Sequence, residues 1–389
     1  MEDELPQLDR IESDAGWPYA SAASVGSGDP GRYHALFGRD ALITSLQLLP
    51  VRPQMARATL RALAALQGRD ERPGTQEEPG KIGHEFRSAP PQSFLDAGWP
   101  DHEPFRYYGT ADATSWFCIL LAATTDRALA TELEPNWRAA GDWIARTLDC
   151  GDGLLRHTPG AFAGGLTQQG WRDARDPTAP RGCGILRPDG TAPQPPLADA
   201  DTQAVTMSAL RALASLSGED RWGARADALR SRLSADFGPE VLALEAGDRP
   251  VSGAGSHLGW LVWSDALHPA AAHAAIDRLC DPDILTHHGL RTLAATAPTF
   301  DAYAYHRGSV WPFDSWLGWC GLRAAGLDSH AEQVRAGVLT AIGQLRLAPE
   351  LYAVTRSGGV QPIPVANRVQ AWTVGARWAL EHRWTGRHL

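Results

Sequence analysis

Apolar residues recur every three or four positions along much of the chain, the spacing that places them on one side of an α-helix. Pro53 stands at the start of one such stretch, where the first helical turn tolerates a proline. Alternating patterns typical of half-buried strands are rare, so we predict an all-α protein. The predicted helices cover residues 41–49, 53–66, 112–125, 135–148, 200–216, 220–237, 256–267, 269–280, 308–325, 329–345 and 369–382.

The links between these helices alternate in length. Short links such as residues 50–52 join helices into hairpins, and the other links are long and rich in Gly and Pro. Because long ordered loops in a compact domain usually carry function, this alternation favours a six-hairpin toroid, an (α/α)6 barrel with one active face. An α-solenoid is the alternative, but the chain shows no repeat of fixed period. The long links are residues 67–111, 149–198 and 346–368.

We expect a single domain over residues 1–389, with residues 1–30 as a short N-terminal extension. Of the 389 residues, 43% are hydrophobic and 21% are charged, which is typical of a globular chain with a large core. The net charge of −9, without any basic run, disfavours nucleic acid or an anionic membrane as a partner. The acidic start, the lack of a bilayer-spanning stretch and five scattered cysteines favour a reduced, cytoplasmic protein.

Two residue types are used unusually. The chain has 15 Trp, whose flat rings suit the C–H faces of sugars, although most tryptophans fill protein cores. Lys81 is the only lysine among 36 basic residues and lies in a highly charged segment, residues 77–87. Since lysine and arginine are not interchangeable, the retained lysine indicates a specific need for an ammonium group.

Asp40 and Asp112 each stand close to the start of a predicted helix, and both allow two interpretations. An aspartate at that position is a good N-cap. Alternatively, Arg39 and Asp40 bind vicinal hydroxyl groups as a bidentate pair. The segments that concentrate such residues are 37–40, 77–87, 107–112, 168–173 and 305–312, and Glu350 and Tyr352 follow in the last long loop.

Cleavage of a glycosidic bond typically uses two carboxyl groups. This chain offers one carboxylate among aromatic and cationic groups and a second one from near the C-terminus. One acid must donate a proton to the leaving oxygen, and the other must stay ionised to activate water. We assign Asp173 as the acid, because the ring of Trp171 should raise its pKa by desolvation if the neighbouring arginines point elsewhere. We assign Glu350 as the base, in a loop without obvious apolar cover.

Other constellations are missing from the sequence. It has no phosphate-binding loop, dinucleotide fingerprint, nucleophile elbow or His-Glu-x-x-His motif. His84, His287 and His288 are more often solvated or hydrogen-bonded loop residues than ligands. We therefore predict neither a metal nor a cofactor, and a small carbohydrate as the partner.

Taken in order, the loop segments resemble a known family. They resemble bacterial amylo-α-1,6-glucosidase-type proteins and the glucosidase domain of glycogen-debranching enzymes. More distantly, they resemble glycoside hydrolase family 63. The segments that carry the resemblance are residues 37–40, 77–85, 108–114, 170–173, 308–312 and 370–372. The resemblance implies an (α/α)6 barrel and inverting hydrolysis with no metal in the chemistry. It places the acid at Asp173 and the base at Glu350.

The resemblance also implies which residues hold the non-reducing sugar. These are Arg39, Asp40, Gly308 and Trp311. We add as expected contacts Lys81, Glu85, Tyr108, Asp112, Trp171 and His306.

The chain departs from debranching proteins of this type, which often carry a β-rich domain ahead of the barrel. Only about thirty residues precede the predicted barrel here. We therefore expect an exo-acting α-glucosidase-like enzyme for a small α-glucoside or α-mannoside, for example of glycerate, with oligosaccharide α-1,6 branches as an alternative. The segment around Lys81 would then serve an anionic aglycone.

Three rival functions stay open. A sugar epimerase or isomerase on the same barrel would use His84, His257 or His306 as bases, but it would not need the acid at Asp173. A catalytically inactive sugar-binding protein would not need both carboxylates. A phosphorolytic enzyme would replace the base by a phosphate pocket.

Overall fold

The computed structural model describes residues 7–23, 33–99 and 104–386. The predicted N-terminal extension therefore falls partly outside the described residues, at 1–6 and 24–30. Its described part packs against the rest of the chain: Leu8 and Ile11 belong to the main core, and Ala371 N–H donates to the Ala20 carbonyl. A single 3-10 turn, Leu8–Arg10, begins this segment.

Helices form the body of the protein, and the predicted helices are all present within a few residues of their expected ends. Proline begins α2, α10 and α11, where its missing N–H costs no hydrogen bond. Two short helices, α3 and α5, were not predicted. The helices are α1 Gly38–Gln47, α2 Pro53–Ala65, α3 Gln92–Leu95, α4 Ala113–Ala123, α5 Arg127–Glu132, α6 Glu134–Cys150, α7 Ala200–Ser217, α8 Asp220–Asp236, α9 His257–Trp263, α10 Pro269–Leu279, α11 Pro312–Ala324, α12 Asp328–Leu345 and α13 Ala371–Glu381.

Six of these helices are buried on nearly every side. They are α1, α4, α7, α9, α11 and α13, and each contacts the next in that order, with α13 returning to α1. All ten residues of α1 are buried, as expected for a helix surrounded by others.

A second set of helices lies outside these six. Helices α2, α6, α8, α10 and α12 each pack on the inner helix that precedes them. In α8 the buried residues Trp222, Ala226, Leu229 and Leu233 follow the helical period, so one face is apolar and the other meets solvent. None of the helices in the described ranges is long and apolar enough to cross a lipid bilayer.

Ten short strands, which the sequence patterns do not predict, lie outside the helices in the described ranges. They pair only with neighbours in antiparallel sheets, the three-stranded sheet β1-β2-β3 among them. The strands are β1 Leu36–Phe37, β2 Glu85–Arg87, β3 Phe105–Tyr107, β4 Ala198–Asp199, β5 Val241–Glu245, β6 Arg249–Ser252, β7 Leu285–Thr286, β8 Gly289–Leu290, β9 Tyr352–Val354 and β10 Val360–Pro362. These sheets fasten the loops to one another, so the loops have a fixed shape.

The N-cap interpretation of Asp40 and Asp112 is wrong. Helix α1 begins at Gly38, so Asp40 lies inside its first turn. Asp112 does precede α4, but its carboxylate makes no capping hydrogen bond. It accepts hydrogen bonds from Arg39 and Thr110 instead.

Candidate active site

Two adjoining cavities open where the long loops meet the first turns of α1, α11 and α13. The inner cavity is lined by Tyr33, Phe37, Arg39, Asp40, His84, Trp171, Asp173, Tyr305, His306, Trp311, Glu350, Gln370 and Trp372. The outer cavity is lined by Tyr33, Phe37, His84, Glu85, Arg87, Pro91, Ser93, Phe94, Tyr107, Leu166, Asp173, Ala174, Arg175, Asp176, Ala179, Arg181, Cys183, Tyr305 and Val365. Five residues line both cavities and mark the boundary between them: Tyr33, Phe37, His84, Asp173 and Tyr305.

Asp173 lies in a tight loop between α6 and β4. Backbone pairing of Gln168 with Ala174 closes this loop. Gly170 lies so close to Asp199 that a Cβ atom at Gly170 would sit 2.8 Å from the Asp199 Oδ2. A side chain at Gly170 would therefore displace the loop that brings Asp173 to the boundary between the two cavities.

Arg39 holds both this loop and its carboxylate. Its Nη2 donates to Asp173 Oδ2 at 2.6 Å, and its Nη1 donates to the Gly170 carbonyl at 3.0 Å and to Asp112 Oδ1 at 3.2 Å. Burial works to lower the pKa of Arg39, but Asp112, Asp173 and Asp40 raise it above its ordinary value. The guanidinium is thus a fixed cation, and its contact with Asp173 favours the ionised carboxylate.

The expected surroundings of Asp173 need one correction. Arg172 does point elsewhere, because it pairs with a buried aspartate of α7 at 2.9 Å. Arg175 donates to a backbone carbonyl at 3.1 Å. Arg39, which the sequence analysis assigned to the sugar, takes the place beside Asp173, while the ring of Trp171 packs on the Arg172 guanidinium. The Asp173 carboxylate is therefore held by an ion pair with Arg39.

Glu350 lies between α12 and β9 and is only 3% exposed, contrary to the expectation that it lacks cover. Its Oε1 accepts a hydrogen bond from the Tyr305 hydroxyl. Its Oε2 accepts from the Asn367 backbone N–H at 3.0 Å and side-chain amide at 3.3 Å. Burial and then the Glu350 charge raise the pKa of Tyr305 well above its ordinary value, so the phenol stays a donor. The Glu350 carboxylate thus accepts hydrogen bonds from Tyr305 and Asn367 instead of facing open water.

Asp40 and Gln370 continue this network into the floor of the inner cavity. Asn367 donates to Gln370 Oε1 at 2.9 Å, and Gln370 donates to Asp40 Oδ1 at 3.3 Å. Burial raises the pKa of Asp40 to about 7 against the opposing effect of Arg39. Near neutral pH Asp40 thus exchanges a proton readily and accepts or donates a hydrogen bond.

Aromatic rings form the remaining walls. The ring of Trp311 stands edge-on to Trp171, with their centroids 5.5 Å apart, and both side chains are almost fully buried. The ring of Trp372 stacks on Phe313 at 4.0 Å. Such rings present flat apolar faces to the C–H groups of a sugar.

The structure brings seven of the twelve predicted site residues together around the inner cavity, namely Arg39, Asp40, Trp171, Asp173, His306, Trp311 and Glu350. His306 Nδ1 accepts the Gly184 backbone N–H at 3.0 Å, which leaves Nε2 as its other hydrogen-bonding atom. Burial and nearby arginines hold the pKa of His306 well below its ordinary value, so the ring is neutral.

Lys81 and Tyr108 do not line either cavity. The Lys81 ammonium donates to Glu78 Oε1 at 2.8 Å and to the Gln76 carbonyl at 3.3 Å, and it lies 5.5 Å from the centre of the Trp143 ring. The Tyr108 hydroxyl donates to a backbone carbonyl at 2.8 Å. Lys81 thus connects residues 76–81 with helix α6, and Tyr108 binds the backbone at the end of α2.

Three further predicted residues lie close to the cavities without lining the inner one. Asp112 stands behind Arg39, and Glu85 lines the outer cavity, where it forms an ion pair with Arg87. Gly308 has a φ of 142°, and a Cβ atom there would lie 2.6 Å from the Phe300 ring. Its role is therefore in the backbone path of the loop before Trp311.

Several lining residues were not among the predicted contacts. Gln370 and Trp372 belong to a segment that carried the family resemblance, and Tyr305 precedes His306, so the sequence held a signal for these three. His84 also lies in a segment that carried the resemblance, residues 77–85, but it was interpreted as a loop histidine or as the base of a rival epimerase. Within residues 7–23, 33–99 and 104–386, no group of three His, Cys, Asp or Glu side chains is arranged to hold a metal ion.

Comparisons with known proteins identify the family of the chain. The family model of the mannosylglycerate hydrolase MGH1-like glycoside hydrolase domain matches residues 39–353. That range contains the candidate acid and base. No curated protein matches the chain by sequence.

Solved structures share the helix-rich fold over nearly the whole chain. A family 63 mannosylglycerate hydrolase from Thermus thermophilus, in complex with Tris and D-glycerate, has a TM-score of 0.68 and 16% identity and covers 98% of both chains. The same enzyme in complex with glucose has a TM-score of 0.68 and 17% identity, again covering 98% of both chains. A glycosidase variant has a TM-score of 0.57 and 14% identity, and covers 97% of this chain and 94% of that chain.

The family match spans more than half of the chain and confirms the predicted enzyme class. The chain belongs to the MGH1-like family of glycoside hydrolases.

Proposed function

We propose that this glycoside hydrolase removes a terminal α-linked sugar with inversion, with Asp173 as general acid and Glu350 as general base. One observation carries the assignment. Asp173 lines both cavities, whereas Glu350 lines only the inner one. With the sugar in the inner cavity and the aglycone in the outer one, the bridging oxygen lies beside Asp173, and the attacking water lies beside Glu350 within the inner cavity.

In the proposed reaction Asp173 gives its proton to the bridging oxygen as the bond from that oxygen to the anomeric carbon breaks. Glu350 takes a proton from water, whose oxygen forms the new bond to the anomeric carbon from the opposite face. The Asp173 side chain is 26% exposed, and an aglycone in the outer cavity covers it. Removing that water favours the protonated carboxyl against the pull of Arg39.

Buried side chains in the lining of the inner cavity support exo action on one sugar unit. Asp40, Gln370 and Trp372 line this cavity and are at most 6% exposed. A second sugar unit beyond the first would have to displace these side chains. The contacts of the six inner helices, which run from α1 through α13 and back to α1, support an (α/α)6 barrel as the scaffold.

The outer cavity favours a small anionic aglycone. Its lining includes Arg87, Arg175 and Arg181, together with three carboxylates. These are Glu85, Asp176 and Asp173, and Asp173 is already paired with Arg39. Glu85 is already paired with Arg87, and Arg181 is exposed at the rim. Guanidinium groups bind carboxylates in a bidentate manner. An α-mannoside or α-glucoside of glycerate has such a carboxylate, and glycerate is bound in the structurally similar mannosylglycerate hydrolase.

A hydrolysis screen tests this function. Glucosylglycerate, mannosylglycerate, isomaltose and neutral alkyl α-glycosides are incubated with the enzyme, and the first product anomer is read by NMR. We expect the β-anomer of the free sugar to appear first, with the glycerates cleaved best. An α-anomer as first product would contradict the inverting mechanism, and epimerisation of a free sugar without hydrolysis would favour the epimerase.

The aglycone has a separate test in Arg181→Ala, with Arg225→Ala as matched control. Arg225 forms a surface ion pair with Asp149 and lines neither cavity. We expect Arg181→Ala to raise KM for glycerate glycosides severalfold while leaving neutral alkyl glycosides unchanged. An equal effect on both substrate classes would remove the anionic aglycone from the proposal.

A further inference from the structure

His84 occupies a fixed place at the boundary between the two cavities. It lies just before β2, its backbone N–H donates to the Tyr107 carbonyl at 2.8 Å, and its carbonyl accepts the Gly38 N–H at 3.0 Å. Its ring stands edge-on to Phe37 at 5.4 Å and to Tyr107 at 5.9 Å. The sheet and these two rings therefore set the position of the imidazole.

The polar atoms of the His84 ring have no hydrogen-bond partner among the described residues, and this separates His84 from the other boundary residues. The hydroxyl of Tyr305 is engaged with Glu350, and the carboxylate of Asp173 with Arg39. Phe37 has no polar side-chain atom, and Tyr33 has a contact of its own. At the boundary, the ring nitrogens of His84 are thus left for a substrate.

The imidazole is neutral, which determines what it binds. Burial and the cations Arg39 and Arg175 hold the pKa of His84 well below its ordinary value. A neutral imidazole offers one N–H donor and one nitrogen acceptor. A hydroxyl group, which both donates and accepts, is the matching partner.

We propose that His84 hydrogen-bonds the C2 hydroxyl of the sugar in the inner cavity and thereby sets the preference at that carbon. The inference rests on the proposed function. A side chain at the mouth of the inner cavity reaches only the groups next to the scissile bond. Among these the bridging oxygen belongs to Asp173, and the ring oxygen only accepts hydrogen bonds, which leaves the C2 hydroxyl.

The position gives this hydrogen bond two consequences. Contacts to the C2 hydroxyl strengthen as the anomeric carbon gains positive charge, so the bond acts on kcat as well as on KM. Glucose and mannose differ only in the orientation of the C2 hydroxyl, so His84 is the residue that distinguishes the two sugars.

The test removes the hydroxyl and the imidazole separately and together. The substrates are 4-nitrophenyl α-glucoside, the α-mannoside and their common 2-deoxy analogue, and the variants are His84→Phe and His84→Asn. In the wild type we expect the 2-deoxy analogue to lose about tenfold in kcat/KM relative to the preferred sugar, the scale of one hydrogen bond. In His84→Phe that ratio should collapse toward one, and His84→Asn, which keeps a donor and an acceptor, should retain part of it.

An unchanged ratio in both variants would overturn the proposal. His382→Phe is the control, since this histidine stacks on Trp378 at the end of α13 and lines neither cavity. If the wild type hydrolyses none of the three substrates, the proposed function fails for these sugars. In that case the binding of glucose, mannose and 2-deoxyglucose to the wild type and the same variants is measured by calorimetry, which needs no turnover. Equal sugar preferences in the wild type and His84→Phe would still overturn the role of His84.

Discussion

At the scale of single residues, the guanidinium of Arg39 connects the candidate acid to the first turn of α1. It donates to Asp173, to Asp112 and to the Gly170 carbonyl in the loop that carries Asp173. A carboxyl group beside a fixed cation loses its proton more easily, so the proposed role of Asp173 as the acid requires substrate to exclude water from it. The dependence of kcat on the leaving group therefore tests the role of Asp173 directly.

Asp173→Asn should reduce kcat for alkyl glycosides by about 100-fold or more, the usual scale of general acid catalysis. Glycosyl fluorides and dinitrophenyl glycosides need little protonation and should lose far less. The measurement is kcat across a series of leaving groups, in which the variant should show a steep dependence. Equal losses on all leaving groups would mean that Asp173 does not donate the proton.

Glu350→Gln should abolish turnover of every leaving group, because water activation is needed whatever departs. Azide added to Glu350→Ala should restore part of the activity with a fluoride donor and yield a β-glycosyl azide, which NMR identifies. Matching stability of the variants in thermal unfolding serves as the control. Full activity in Glu350→Gln would move the base to another carboxylate.

The sequence predicted the location of these residues better than it predicted their partners. Asp173 and Glu350 stand in recognisable segments, and both reach the inner cavity. That Arg39 would bind Asp173, across 134 positions of the chain, depends on how α1 meets a distant loop, which no local pattern encodes. The position of His84 at the boundary was not predictable for the same reason, since its neighbours there come from separate loops.

At the scale of elements, helices were predictable because each contains its own periodic signal, as the buried positions of α8 illustrate. The strands were not, because they are two to five residues long and pair across the gaps between helices. Their pairing is decided by the loops they fasten. The contact of residues 67–83 with α6, made through Lys81, is a case in which one side chain joins two elements.

Lys81→Met should lower the free energy of unfolding by roughly 1–3 kcal/mol, since Glu78 loses its cation but is itself partly exposed to water. The value of kcat/KM per folded molecule should stay unchanged for glycerate glycosides and for neutral glycosides alike. Urea unfolding and steady-state kinetics on the same preparation measure both. A selective loss on the anionic substrates would restore Lys81 to the aglycone site.

At the scale of the whole molecule, the space between the inner helices holds several buried acids. Burial raises the pKa values of Asp40, Asp199 and Asp314 to about 7 each. The unfolded chain releases these protons near the ordinary value of 3.8, so the folded chain binds more protons between those pH values. These three groups therefore make the protein less stable as pH rises from about 4 to 7.

Asp314→Asn isolates one such contribution. Asp314 Oδ1 accepts the Trp260 indole N–H at 2.6 Å, a bond that the amide oxygen of asparagine keeps. The free energy of unfolding of the variant minus that of the wild type should increase by roughly 2–4 kcal/mol when the pH is raised from about 4 to about 8. Denaturant unfolding at both pH values measures the difference, and a constant difference would mean that Asp314 titrates alike in the folded and unfolded chains.

The burial of the only lysine has a practical consequence for following the dynamics of the fold. Residues 80–82 are all buried, so an endoprotease specific for lysine finds a single cleavable bond, and that bond is closed in the native state. When the loop opens and closes much faster than the protease cuts, the cleavage rate of this bond measures the free energy of local opening at one known position. Cleavage after Lys81 gives two fragments, one ending at Lys81 and the other beginning at Ile82. The loss of the intact band on a gel therefore measures the opening of one loop in a chain of 389 residues.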